Sequence, residues 1–169
     1  MTPTVRPVVE DDRTWIRDFV RERWGDETVV AHGAVFRPAV LPGLVLRDGT
    51  EILGLLTYAD DGDACEVVTI DAVVEGRGYG SLLLDAVWEL AREAGCSRLW
   101  LITTNDNERA LGFYRSHGFR VAAVREGAIA ESRKLKPSIP VVNEHGVPIR
   151  DEIELERRLS SDADDNLPM

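Results

Sequence analysis

The sequence predicts a mixed α/β sheet with helices on both faces. Three observations predict it. Runs rich in β-branched residues alternate with two segments whose apolar residues recur at helical period. An Asp48-Gly49 pair and the polar run Ala59–Asp63 join three consecutive strands as antiparallel neighbours. The remainder reads strand, helix, strand, helix, strand and a terminal strand, so the sheet sits between helical layers.

Taken in order, "TVRPVV" (Thr4 to Val9) is a first strand. Asp11 or Asp12 caps a helix running through Arg23, with Trp15, Ile16, Phe19 and Val20 on its inner face. The stretch Trp24 to Gly43 shows no clean period and reads as loop with a helical turn. "LVLRDGTEILGLLTY" is a hairpin, and "ACEVVTIDAVV" (Ala64 to Val74) a strong strand. Tyr79, Leu82, Leu83, Ala86, Val87, Leu90, Ala91 and Ala94 then form an apolar helical stripe, with Asp85, Glu89, Arg92 and Glu93 outside it; Gly95 ends the helix. "SRLWLITT" (Ser97 to Thr104) is a buried strand and Asn105 to His117 a short helix closed by Gly118. "FRVAAVRE" and "DEIELERRL" are the last two strands, separated by the long Pro- and Lys-containing segment Gly127 to Arg150. Residues 1–159 read as one domain and the acidic, apolar-poor 160–169 as a disordered tail.

Composition excludes several function classes. A net charge of −10 argues against nucleic acid, whose phosphates demand basic patches. No apolar run reaches the roughly 18 residues that a bilayer requires, so no membrane partner is expected. Two cysteines, Cys65 and Cys96, with no CxxC and no paired histidines, suggest a reducing cytoplasm and no metal site.

The chemistry is concentrated in "EGRGYGSLLL" (Glu75 to Leu84). Three glycines, Gly76, Gly78 and Gly80, lie where a strand ends and a helix begins. A helix start offers about four unpartnered N–H groups and a partial positive charge, and glycines let an anion approach them. Arg77 adds a cation; Tyr79 and Ser81 complete the turn. The dinucleotide fingerprint fails here: its third glycine would be Ser81, and the nearest acidic residue, Asp106, lies about 30 positions on instead of about 20. The P-loop pattern is absent.

"VVEGRGYGSLLLDAV" resembles the pyrophosphate loop [QR]xxGx[GA] of the GNAT superfamily, the acyl-coenzyme A-dependent N-acetyltransferases, with Glu75 in the Gln/Arg place. "NERALGFYRSHGF" resembles a second family pattern through Asn107, Ala110, Tyr114, Gly118 and Phe119. The resemblance covers about Thr4 to Leu159. It implies a sheet of six or seven mostly antiparallel strands, splayed between the fourth (Ala64 to Val74) and the fifth (Ser97 to Thr104), with acetyl-CoA as co-substrate in the gap. Ile70 and Ala72 would pair with the pantetheine through their main chains, and the Ile70 amide would polarise the thioester carbonyl.

An amine with pKa about 10.4 needs about 4.6 kcal/mol to reach its nucleophilic form at pH 7. Glu66 is the candidate general base. It matches the catalytic glutamate of some family members, and simple alternation puts it on the same strand face as Val68 and Ile70; Asp71 has the opposite parity unless a bulge intervenes. His32 and His145 are other candidates. Tyr114 is the candidate general acid for the departing thiolate, or else positions the sulfur. Neither cysteine is required. The expected acceptor is a primary amine of a small molecule or peptide, bounded by Trp24 to Val40 (Trp24, His32, Phe36, Arg37) and Gly127 to Arg150 (His145). The latter reads as an arm closing over the substrate or over a second subunit in a homodimer. The alternative function is a non-catalytic acyl-CoA-binding regulatory module.

Overall fold

In the computed structural model, residues 2–159 are described; the segment 160–169, expected to be disordered, lies outside them. The chain opens with β1 (Thr4–Pro7) and α1 (Arg13–Trp24). The Asp12 carboxylate does not cap α1. It accepts instead from Arg6, from the Val9 N–H and from the Trp15 indole, tying the strand to the helix start.

The stretch expected to be loop holds a short hairpin, β2 (Val29–Ala31) and β3 (Ala34–Phe36), followed by a 3-10 turn at Pro38–Val40. Its two-residue turn is His32-Gly33, with φ of 41° and 79°. Positive φ at both central residues gives the turn whose twist suits a hairpin, and histidine is among the few non-glycine residues that adopt it readily.

Next come β4 (Gly43–Asp48), β5 (Glu51–Asp60) and β6 (Ala64–Ala72), then α2 (Tyr79–Glu93), β7 (Arg98–Thr104) and α3 (Glu108–Ser116). The chain finishes with β8 (Arg120–Arg125), α4 (Ala128–Leu135) and β9 (Glu152–Arg158). The long final connection is therefore not a free arm. It carries α4, and Lys136 clasps it to the far side of the fold by donating to the Trp24 and Thr28 carbonyls at 3.0 and 2.6 Å.

Seven strands form one sheet in the order β1-β4-β5-β6-β7-β9-β8, and β6–β7 is its parallel pair. Leu83, Val87 and Ala91 of α2 and Tyr114 of α3 pack on one face with Leu46, Leu56, Val67 and Leu99. On the other face, Ile16 and Val20 of α1 bury Val45 and Leu55. Helices on both faces are thus confirmed.

Two departures from regularity position the site. The β6–β7 pairing runs only from Ala64↔Arg98 to Val67↔Leu101. Beyond it β6 stays paired to β5 as far as Ala72, and β7 stays paired to β9 as far as Thr104. The sheet therefore splays between β6 and β7, dividing into β1-β4-β5-β6 and β7-β9-β8. The second departure is a bulge: Thr57 pairs Thr69 while Tyr58 pairs Val67, leaving Val68 without a counterpart. Alternation alone puts Glu66 beside Ile70. The extra residue reverses this, so Glu66 shares a face with Thr69 and Asp71, and Ile70 with Val67.

Candidate active site

The splay opens cavities on both faces of the sheet. On the α2/α3 face lies a cleft of about 550 Å³. It brings together Ile70 and Ala72 of β6, Gly76, Gly78, Tyr79, Gly80 and Ser81 of the glycine turn, and Asn107 and Tyr114 of the following segment. Arg77 is exposed and does not line it.

Gly76 and Gly78 both have φ of 78°, and a Cβ on either would project into open space. The turn thus presents bare backbone to the cleft. The first bond into α2 runs from the Leu82 N–H to the Gly78 carbonyl at 3.1 Å. The N–H groups of Tyr79, Gly80 and Ser81 precede it and find no acceptor within the helix. A Cβ on Gly80 would meet the Phe113 ring at 3.2 Å, so this third glycine is needed for close approach of α3. The Ser81 hydroxyl contacts His117 Nε2 at 2.9 Å, whose Nδ1–H donates to the Phe113 carbonyl.

Glu75 faces the same cleft, but its carboxylate accepts from Arg109 in the first turn of α3. That pairing offsets the negative charge beside an anion site. Asn107 is the N-cap of α3, with Oδ1 accepting from the Ala110 N–H at 3.1 Å, which leaves its Nδ2 without a partner among the described residues. Tyr114 is buried, and its hydroxyl has no partner among the described residues. Burial pushes the phenol well above its ordinary range, and the nearby Asp71 charge adds to this.

The opposite face holds a smaller cavity of about 160 Å³, bordered by Trp24, Val68, Thr104, Glu66 and Glu152, and sharing Asn107 with the cleft. The His32 turn organises it. His32 Nε2–H donates to both Glu66 oxygens at 2.9 Å, and the ring packs against Trp100 at 5.0 Å and Phe36 at 5.8 Å. The His32 main-chain N–H donates to Glu152 at 3.1 and 3.2 Å. Burial raises the Glu66 carboxyl above its ordinary value, and the hydrogen bond from His32 opposes this. Asp71, on the same face, accepts from the Trp24 indole at 2.9 Å. A third cavity of about 400 Å³, between the His32 turn and α4, meets the small one at Glu152. His145 is exposed and lines none of the three. Cys65 is fully buried in the core, its thiol pushed up to about 12 by burial, so it is no nucleophile.

Two cavities therefore flank the gap in the sheet and share Asn107 in their linings, one offering backbone N–H groups and the other a buried carboxylate. The sequence pattern of the acetyltransferase (GNAT) family matches residues 9–119, more than half of the chain. The chain belongs to that family. Its relatives include two uncharacterized proteins of Bacillus subtilis (strain 168). YdhI is 42% identical over 139 residues, spanning 82% of this chain and 87% of YdhI. YxbD is 36% identical over 154 residues, spanning 90% and 97%. The fold of a GNAT family acetyltransferase from Elizabethkingia anophelis, a structure with acetyl-CoA bound, superposes with a TM-score of 0.68 at 19% identity, over 93% of this chain and 98% of that one.

Within this acetyltransferase, two site residues, and the hairpin turn that places His32, went unidentified in the sequence. Arg109 and Glu152 carry no local signal, because their roles depend on partners 34 and 120 residues away. The His32 turn did have one: "VVA-HG-AVF", a two-residue turn between β-branched runs. No three His, Cys, Asp or Glu side chains form a metal-binding group among the described residues. No helix there is long and apolar enough to cross a membrane.

Proposed function

We propose that this chain acetylates a primary amine by direct attack, with acetyl-CoA as the acetyl donor. The observation that carries this reading is the gap itself. Exposed amides at the start of α2 stand on one face and Glu66 on the other, with Asn107 bordering both cavities. The cleft fits a coenzyme of this kind. It has the volume of a cofactor site, a backbone surface free of Cβ atoms at Gly76 and Gly78, and three unbonded N–H groups for a diphosphate.

Acetyl-CoA supplies the acetyl group as a thioester. The residues then divide the remaining work. Main-chain groups of Ile70 and Ala72, on the unpaired stretch of β6, hold the pantetheine in place of a neighbouring strand. The Ile70 amide polarises the carbonyl oxygen. Glu66 takes the proton that the amine nitrogen sheds as its bond to the acetyl carbon forms, and His32 orients that carboxylate. With its phenol pushed up by burial, Tyr114 is a poor proton donor to a thiol of pKa about 8.5. It serves instead as a hydrogen-bond donor to the departing sulfur. Both thiols are free and buried, which suits direct transfer without an acyl-enzyme and a reducing cytoplasm as the compartment.

The test is a thiol-release assay over a panel of amines, beside calorimetric titration with coenzyme A and acetyl-CoA. Amine-dependent thiol release supports the reading. Tight acetyl-CoA binding with no turnover above hydrolysis would make the chain a coenzyme-binding module. No heat with either form would remove the proposal altogether.

A further inference from the structure

Strand β9 buries three glutamates on one sheet face, Glu152, Glu154 and Glu156, and two of them are neutralised by arginine. Glu154 pairs with Arg98 at 2.9 Å and Arg125 at 2.7 Å. Glu156 pairs with Arg98 at 2.9 Å, Arg120 at 2.8 Å and Arg158 at 3.3 Å. Glu152 is the most deeply buried of the three, at 2% exposure, and has no Lys, Arg or His side chain within ion-pair distance among the described residues. Its partners are neutral: the His32 main-chain N–H and the Ser132 hydroxyl at 3.2 Å. A carboxylate held out of water without a counter-charge is costly, and neutral donors recover only part of that cost.

Of the three, Glu152 borders two of these cavities. It lines the 160 Å³ cavity at the sheet gap together with Glu66, and no lysine or arginine lines that cavity. It lines the 400 Å³ cavity as well, where the cations present are already engaged: Arg125 with Glu154, and Lys134 with Glu131. One residue, His32, spans the two carboxylates, touching Glu66 through its ring and Glu152 through its main-chain N–H. At about 160 Å³, the small cavity has room for a short aliphatic chain. Besides the two carboxylates, its lining includes the apolar Val29, Val68 and Ile102 as well as Thr103, Thr104 and Asn107.

We infer that Glu152 is the counter-charge for a second cationic group on the acceptor, so that the substrate is a short aliphatic diamine with one nitrogen at Glu66 and the other at Glu152. The inference rests on the amine-acetylating reading above and adds the substrate class. A distal ammonium supplies the charge that β9 leaves unbalanced, while a distal carboxylate would meet like charge in a dry site.

The experiment compares 1,4-diaminobutane, n-butylamine and 4-aminobutanoate as acceptors for the wild-type chain and for Glu152→Gln. The amide can still accept from the His32 N–H, so the substitution removes charge more than shape. For the wild type, kcat/KM for the diamine is expected to exceed that for butylamine at least about tenfold, with 4-aminobutanoate below both. In Glu152→Gln the diamine-to-monoamine ratio falls to about threefold or less, mainly through a higher KM for the diamine. A purely structural role for Glu152 would lower both substrates together and leave the ratio intact.

Equal wild-type values for diamine and butylamine overturn the inference and leave amine acetylation standing; this comparison needs no variant. If no amine is turned over, calorimetry with the diamine on the coenzyme A-saturated wild-type protein decides. Saturable binding tighter than that of butylamine supports the Glu152 site while acetylation falls, and absence of binding overturns the site as well.

Discussion

At the scale of single residues, the proposed reaction turns on how one histidine sets one carboxylate. Glu66 must be ionised to accept a proton, so activity rises with pH through its titration. Burial places that limb above the ordinary glutamate range, and the His32 hydrogen bond holds it down. His32→Asn tests this. Asparagine suits the positive φ of the turn but is too short to reach Glu66. The acid limb of the kcat profile is expected to move to higher pH, and Glu66→Gln to lower kcat by about 10² to 10⁴. An unmoved limb would remove Glu66 as the titrating base. The face that Glu66 occupies was not legible in the sequence. A bulge is set by pairing between strands, and nothing in "ACEVVTI" marks Val68 as the extra residue. The residue types were legible: Glu66, Tyr114, Asn107 and the glycines stand at the gap because each is a local chemical oddity for its element.

Among elements, the glycine turn and α3 grip the same cleft from opposite sides. Arg109 offsets Glu75 at its mouth. Arg109→Ala is expected to weaken coenzyme A binding about three- to tenfold, increasingly as salt is lowered, because the carboxylate then faces the phosphates alone. Gly78→Asp, which adds both a side chain and a charge to the cradle, should weaken it more than tenfold by calorimetry. The start of α1 is held differently. The Arg6 guanidinium keeps the Asp12 carboxyl well below the usual carboxylate range, against the opposing effect of burial. A depressed folded-state pKa contributes stability above the unfolded value of about 4, lost as pH falls below it. Asp12→Asn is thus expected to cost about 2 to 3 kcal/mol at pH 7 and clearly less at pH 3, measured as urea midpoints. Long elements with a strong period, such as α2, were readable to within a residue or two. The β2–β3 hairpin was harder to read, because its three-residue strands hold too few positions for alternation to show, leaving the His32-Gly33 turn as its local mark.

For the whole molecule, the splay is the organising feature, and hydrogen exchange should report it. In the free protein, the gap-facing amides of Val68–Ala72 and Ile102–Thr104 lack strand partners across the seam and should exchange well before those of β5. Adding coenzyme A should slow exchange in the β6 stretch and at Tyr79–Ser81. Uniform protection before and after would contradict a strand-like binding mode. The strands on the two sides of the seam are also contiguous in the chain: β1, β4, β5 and β6 precede α2, and β7, β8 and β9 follow it. Across the seam itself, the strand ladder joins them through four paired positions among the described residues, Ala64↔Arg98 to Val67↔Leu101. In the proposed reaction the coenzyme would therefore be mortar as well as reagent. A coenzyme that binds only the folded chain, at a hundred times its Kd, stabilises the fold by about 2.7 kcal/mol, measurable as a rise in Tm. Under the proposed activity, release of coenzyme A after each transfer would remove that contribution until the next acetyl-CoA binds.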